Sequence, residues 1–285
     1  MPVVTYGPKH VEAIVTLYNA TAAGLPYCCP MDVAWFTEVI AAKHGVAPEH
    51  LWVYEEDGGA VGYLQCSFVS RSRDEVAFDR RVAGIDALCL APDRLDVAAA
   101  LLERTIAYLR GQGTREVGCV SGAYHQRLAL ERAGFYLQQA SHMWLTELDE
   151  APTVAQPARP VECRVAAREF ASLAERDSWR GIEAREATAW LDGRQVGACL
   201  YSPLPCYQRQ RGYAAGAIGA LSVSGDVQQG GVATLLVGAT LRDLWDAGAR
   251  QAWVATQAFH VAAHGTYTRL GFRRFAEIYV MGREL

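Results

Sequence analysis

Three glycines, Gly225, Gly230 and Gly231, interrupt the stretch Leu221–Leu236, LSVSGDVQQGGVATLL. The run before them, AIGALSV, reads as a strand of small apolar residues. The run after them, VATLLVGATLRDLWDAG, reads as a helix beginning near Val232. Amides at a helix start have no intrahelical acceptor and lie at the positive end of its dipole. A turn of this kind holds anions, phosphates above all, and glycine lets the backbone approach them without a Cβ in the way. No Lys-Ser/Thr follows the glycines, which excludes a nucleotide-triphosphate loop. Gly230 and Gly231 are adjacent, so GxGxxG is absent as well.

The elements that must hold this turn follow from periodicity. VVTY reads as a strand, and HVEAIVTLYNATAAG as an amphipathic helix. A loop with two prolines leads into a second helix with Asp32 as its N-cap. LWVYEED and AVGYLQCSFVS form a hairpin, and VAGIDALCLAP is a buried strand. DRLDVAAALLERTIAYLRGQG is a helix with Asp93 at its start. REVGCVS, HQRLALERAGF and ASHMWLTEL read as strand, helix and strand. DEAPTVAQPARP, with Pro152, Pro157 and Pro160, reads as a linker.

The same order then returns. VECRV is a strand, AAREFASLAERDSW a helix, and ATAWL and VGACLYSPL a hairpin around DGRQ. AIGALSV, its helix, the strand RQAWVAT, the helix VAAHGTYTRLGF and the strand EIYVMGREL complete it. Asp57-Gly58-x-x-Val61-Gly62 recurs 135 residues later as Asp192-Gly193-x-x-Val196-Gly197. Ile85-x-Ala87-Leu88 recurs after 133 residues as Ile218-x-Ala220-Leu221, and Arg132-x-Gly134-Phe135 after 137 as Arg269-x-Gly271-Phe272. Near-constant spacing indicates duplication of one unit. Hairpin-linked strands followed by helix-linked ones predict an α/β (α+β) mixed sheet with helices on its faces.

The second half resembles the GNAT acyltransferases. Their phosphate-loop pattern, Val-x-Pro-x-x-Arg/Gln-x-x-Gly-x-Gly/Ala, stands here as Val223-x-Gly225-x-x-Gln228-x-x-Gly231-x-Ala233, with glycine for proline. Their second signature, Asn-x-x-Ala-x-x-x-Tyr-x-x-x-Gly-Phe, stands as His260-x-x-Ala263-x-x-x-Tyr267-x-x-x-Gly271-Phe272, with histidine for asparagine. The resemblance covers Val161 to Leu285. It implies two tandem GNAT-like domains and acetyl-CoA as co-substrate, with an amine as acceptor and no metal. By resemblance the amides of Gln229, Gly230, Gly231, Val232 and Ala233 hold the CoA pyrophosphate, with Gln228 and Thr234 close by. The backbone of Leu221, Ser222 and Val223 holds the pantetheine arm and acyl carbonyl. Tyr267 gives a proton to the leaving thiolate, and His260 takes the place of the asparagine beside the cofactor. The base that must neutralise the attacking amine is open among Asp226, Glu183, Glu186 and His260. YSPLPCYQRQRGYAAG offers Tyr201, Tyr207, Tyr213, Arg209 and Arg211 as a candidate acceptor groove. The interval before the second hairpin is short, so this groove is expected to borrow a wall from the first half or stay open.

The first half departs from the pattern. Its counterpart reads Leu90-x-Pro92-x-x-Leu95-x-x-Ala98-x-Ala100, with Asp93 and Asp96 where a phosphate would sit, and Leu130 at the tyrosine position. Residues 1–150 are therefore expected to be a degenerate GNAT-like domain, 151–160 a linker and 161–285 the acetyltransferase domain. A non-catalytic acyl-CoA-binding or regulatory protein and a purely structural pair of domains remain as alternatives.

Composition sets further bounds. A net charge of −4 gives no hint of a nucleic-acid surface, and no apolar run reaches the ~18 residues of a membrane span. The N-terminus MPVVTYGPKH lacks a signal-peptide pattern, and the eight cysteines contain no C-x-x-C pair. A cytoplasmic protein with reduced cysteines is expected, without nucleic-acid or membrane partners; a homodimer stays open.

Overall fold

One kind of turn joins the hairpin of each half. Asp57 and Gly58 lie at φ 50° and 80°, and Asp192 and Gly193 at φ 51° and 77°. Positive φ at both central residues gives the turn whose twist matches paired strands, and Asp-Gly is a dipeptide that adopts it readily. The repeated Asp-Gly is thus a backbone requirement met twice. In this computed structural model the described residues are 2–23, 25, 28, 30–41, 46–70, 78–91, 93–169, 183–204, 207–208 and 212–285.

The chain divides into two compact units. The first comprises Met1–Ala140 and Ile278–Leu285. Its sheet runs β1 (Val3–Thr5), β2 (Leu51–Glu56), β3 (Gly59–Ser70), β4 (Phe78–Leu90), β5 (Glu116–Ser121) and the end of β12 (Arg273–Glu284). Neighbours are antiparallel except β4 and β5, which are parallel and joined by α2 (Leu95–Gly111). Helix α3 (Tyr124–Arg132) follows β5. Alternation along the strands sends residues to two cores. Trp52, Leu64, Leu88 and Leu90 meet α2 and α3 on one face. Leu51, Val53, Tyr63 and Cys89 meet α1 (Val11–Ala22) and Phe36 on the other. Asp32 caps its short helix as expected, its carboxylate accepting from the Trp35 amide at 2.7 Å.

The second unit comprises Ser141–Phe170 and Gly181–Glu277. Its sheet runs β7 (Glu162–Ala167), β8 (Arg185–Leu191), β9 (Arg194–Leu204), β10 (Ala214–Val223), β11 (Ala249–Gln257) and the end of β6 (Tyr136–Glu147). Again one pair, β10 and β11, is parallel and joined by a helix, α4 (Val232–Asp246). Helix α5 (Val261–Arg269) follows β11. The helix read over AAREFASLAERDSW starts differently, since Ala166 and Ala167 end β7 and pair with Glu186 and Arg185. From Phe170 onward it lies outside the described residues.

These units cross the sequential ranges 1–150 and 161–285. Tyr279–Glu284 of β12 pairs with Ser121–Glu116 of β5. Ser141–Glu147 of β6 pairs with Gln257–Gln251 of β11. The last strand of each sequence half therefore completes the sheet of the other unit. Among the described residues, Cys66, Cys89, Cys119 and Cys199 are free and buried, and burial pushes each thiol up to about 12.

The Val-Gly of each hairpin has a packing cause. A Cβ on Gly197 would lie 2.9 Å from both Leu236 Cδ1 of α4 and the Ser222 carbonyl. A Cβ on Gly62 would run into Val97 and Leu101 of α2. In each unit the helix lies on bare backbone. Gly197→Ala should destabilise the second unit by ~1–3 kcal/mol through overpacking, seen as an earlier thermal transition, whereas Gly193→Ala, with open space around its Cβ, should cost only the positive-φ strain.

Candidate active site

The parallel pairing of β10 with β11 ends at Ile218↔Val254. Strand β10 continues to Val223 bonded only to β9, and β11 continues to Gln257 bonded to β6. Two neighbouring strands thus part, leaving a cleft between their ends. The register of β10 against β9 shifts between Ile218 and Ala220, so Gly219 has no opposite residue. Such a bulge bends the strand and re-aims its backbone. Gly219, Ala220 and Ser222 are exposed along this edge, while Leu221 and Val223 are half-buried.

At the end of β10 the chain makes a tight turn over Gly225–Val227, then passes through Gln229 at φ 65° and Gly231 at φ 87° into α4. The Gln228 side-chain amide donates to the Val223 carbonyl at 3.2 Å and ties the loop to the strand. The first helical hydrogen bond runs from the Leu235 amide to the Gly231 carbonyl. The amides of Val232, Ala233 and Thr234 therefore have no intrahelical acceptor, as a helix start requires. Gly230 differs from the expected set, because its amide donates to the Val227 carbonyl at 3.3 Å. Arg194 pairs with Asp226 on the outside of the turn.

The stretch read as a linker is docked on α4. Arg242 donates twice to the Pro152 carbonyl, at 3.0 and 2.7 Å. The Thr153 carbonyl and Val154 Cα stand 3.6 Å from where a Cβ of Gly238 would be, and Pro157 Cβ 3.4 Å from one on Gly231. The segment thus runs back along the helix to the glycine turn.

Tyr267 lies on α5 at 3% exposure, its ring 5.5 Å from that of Phe272 and 6.4 Å from that of Trp144. Burial, with the Cys199 thiol adding, pushes its hydroxyl up to about 12. That hydroxyl has no hydrogen-bond partner among the described residues. His260 is the exposed N-cap of α5, makes no side-chain cap bond and stands edge-on to Phe259 at 4.6 Å. The proposed bases are otherwise engaged. Glu183 accepts from Arg185 at 2.8 Å and Glu186 from Arg168 at 3.3 Å, while Asp226 pairs with Arg194.

The acceptor-groove reading fails for two tyrosines. Tyr201 is fully buried under α4, donating to Asp243 at 2.7 Å, and Tyr207 is fully buried too. Arg209 and Arg211 lie outside the described residues.

The structure adds an aromatic group that no motif announced. His264 stacks between His142 and Trp144, with ring centroids 5.2 Å from each, and its Nε2 lies 3.2 Å from the Gln257 carbonyl. His142 Nε2 is 3.3 Å from Arg274 and 3.7 Å from Glu277. Burial, Arg274 and His264 together depress its pKa against the pull of Glu277. His142 and Trp144 come from β6, in the first half of the sequence, and alternation to a shared face is their only sequence signal. Among the described residues no group of three His, Cys, Asp or Glu side chains is arranged to hold a metal.

Residues 143–272 match the Acetyltransferase (GNAT) family. A tandem GNAT protein from the clavulanic acid biosynthesis pathway has the same fold over 99% of this chain and 98% of its own, at TM-score 0.77 and 16% identity. The chain thus has the fold of a tandem GNAT protein, and its residues 143–272 match the GNAT family. A GCN5-related N-acetyltransferase from Sphaerobacter thermophilus matches at TM-score 0.71 and 15% identity, covering 99% of this chain and 95% of its own. A putative acetyltransferase from Pyrococcus horikoshii matches at TM-score 0.62 and 12% identity, covering 99% and 89%. No curated protein matches the chain by sequence. Strand β6 from Met143 onward lies within the matched GNAT stretch, in keeping with its place in the second unit's sheet.

The docked segment of this GNAT unit depends on one arginine. Arg242→Met removes two charge-assisted hydrogen bonds and should release residues 151–160, raising proteolytic cleavage there roughly tenfold without changing cleavage elsewhere.

Proposed function

We propose that the second unit moves an acyl group from acyl-CoA, acetyl-CoA by family, to the amine of a small molecule or peptide. The observation that carries this is the parting of β10 from β11 with the glycine turn at its mouth and an unpartnered tyrosine hydroxyl in the same unit. Parted strands leave backbone N–H and C=O groups without partners, and an amide-bearing ligand arm meets that need. The amides of Gln229, Gly231, Val232, Ala233 and Thr234 hold the pyrophosphate, with Gln228 bracing the loop. The Gly230 amide, turned to Val227, supports the turn and contributes less to binding. Leu221, Ser222 and Val223 present the strand edge to the pantetheine arm.

In the reaction the amine nitrogen attacks the thioester carbonyl carbon, the C–S bond breaks, and the sulfur takes a proton. Tyr267 supplies that proton, and a hydroxyl pushed up to about 12 stays protonated across the physiological range. The attacking amine loses its own proton to water or to His260. The carboxylates of Glu183, Glu186 and Asp226 are already taken by arginines. The structural neighbours support this reading, one being a GCN5-related N-acetyltransferase. The non-catalytic alternative keeps the binding and loses the chemistry, so the tests separate the two.

With acetyl-CoA and a responsive amine, Tyr267→Phe should lower kcat by ~100-fold and leave the acetyl-CoA Kd unchanged. The loss should be even from about pH 6 to pH 9, because Tyr267 does not ionise there. An unchanged rate would remove the acid role. Gly231→Glu places a carboxylate against Pro157 and the phosphate seat at a positive-φ position, and should weaken acetyl-CoA binding ~10-fold or more by calorimetry.

A further inference from the structure

The first unit repeats the parting of strands. Its parallel pair β4 and β5 ends at Ile85↔Cys119, while β4 continues to Leu90. Ile85 and Ile218 are equivalent in the repeat, so Leu88 stands where Leu221 stands in the second unit. Helices α3 and α5 have nine residues each and start 137 apart, so Gln126 stands where Ala263 stands.

In the first unit this glutamine spans the opening. Its Nε2 donates to the Leu88 carbonyl at 2.6 Å, three residues past the last strand pair. Its Oε1 lies 3.4 Å from Ser121 Oγ, the side chain of the last residue of β5, whose hydroxyl also reaches the Ala123 carbonyl at 3.2 Å. One primary amide thus joins the β4 carbonyl at the opening to the side chain that ends β5. The methyl of Ala263 offers neither a donor nor an acceptor.

We propose that the first unit retains a pantetheine-type cleft and that Gln126 closes it by standing in for the amide of the ligand arm. The inference rests on the acyl-CoA reading of the second unit for what such a cleft takes. The chemistry fits at the β4 lip, since pantetheine carries secondary amides whose N–H can donate to a strand carbonyl as Gln126 does to that of Leu88. The rest of the unit agrees. Val223 follows Leu90 by 133 residues, whereas the helix starts Val232 and Leu95 are 137 apart, so the loop before the helix is four residues shorter in the first unit. No room for a pyrophosphate turn remains. Arg94 beside it is held by Asp96 at 2.8 Å and Glu56 at 2.5 Å. Leu130, fully buried, replaces the tyrosine. The cleft is therefore one for a pantetheine-like amide without its nucleotide.

The test uses the full chain and two probes. Equilibrium dialysis of the wild type with CoA should give one equivalent bound, and two equivalents would overturn the inference. Pantetheine is then followed by saturation-transfer NMR with CoA present to fill the second unit. Gln126→Ala should bind pantetheine roughly tenfold more tightly than wild type, the worth of the internal hydrogen bonds it no longer has to displace. Gln126→Leu fills the same volume and should stay closed. Equal pantetheine binding by all three chains, with circular dichroism showing Gln126→Ala folded, would overturn the proposal. If Gln126→Ala does not fold, Gln126→Ser takes its place in the same pantetheine comparison, and binding equal to wild type overturns the proposal. Were the wild type to bind no CoA, the reading of the second unit would fall, and the pantetheine difference between Gln126→Ala and wild type would still judge the cleft.

Discussion

Two parallel strands that stop pairing before they end create a local debt of hydrogen bonds, and both units are built around it. Past Ile218 and Val254 the strand backbones still carry one donor and one acceptor per residue. Each such group left dry would cost a few kcal/mol, so the opening must be wetted, liganded or plugged. The second unit leaves it lined by Gly219, Ala220 and Ser222 on an exposed edge. In the first unit the Gln126 side-chain amide donates to the Leu88 carbonyl at this opening. The glycine turn, the docked segment over Gly231 and a tyrosine at the matching helix position stand in the second unit, where the opening is left exposed.

The repeat was legible because it is written in residues that few others can replace. Asp-Gly marks the positive-φ turn, Val-Gly the contact of helix with backbone, and Gly-Phe the helix end, where Gly134 and Gly271 stand at φ 82° and 81°. These sites tolerate little drift, so they stay recognisable where the apolar positions do not. The loop of the first half was less legible. Matching Ala98 and Ala100 to Gly231 and Ala233 keeps the strand spacing but puts both alanines inside α2. The four missing residues are invisible to a pattern that assumes equal spacing. The first half did not lose the chemistry of its turn by substitution; the turn itself is gone.

The exchange of final strands was not legible at all. A strand with one covered face has the same alternation whichever sheet it joins, so β6 and β12 carry no address in their own sequence. Their partners do, since Ser141–Gln257 and Tyr279–Ser121 are long-range choices settled by packing. The consequence reaches the site, because Trp144 and His142 arrive beside Tyr267 and His264 from the other half of the sequence. The segment 151–160 shows a related blindness. Its prolines and polarity read as a free spacer, yet it is fixed by a carbonyl, that of Pro152, and by the bare backbone of Gly238. Main-chain contacts leave little trace in composition.

The raised hydroxyl of Tyr267 bears on whether it can serve as an acid. Against an ordinary thiol near 8.5, a donor at about 12 faces a gap of some 3.5 units, on the order of 5 kcal/mol uphill for full transfer. That comparison places the thiolate in water, where it is not. Burial disfavours a thiolate as it disfavours a phenolate, since both are the charged forms. Cys199, in the core cluster that holds Tyr267, has its thiol pushed up to about 12 as well, with burial the first cause for each. A leaving sulfur held out of water becomes a stronger base in the same way, which narrows the gap to the tyrosine. Burial raises the Tyr267 hydroxyl and would raise the proposed leaving sulfur in the same direction, so depth by itself does not remove the tyrosine from the proposed acid role.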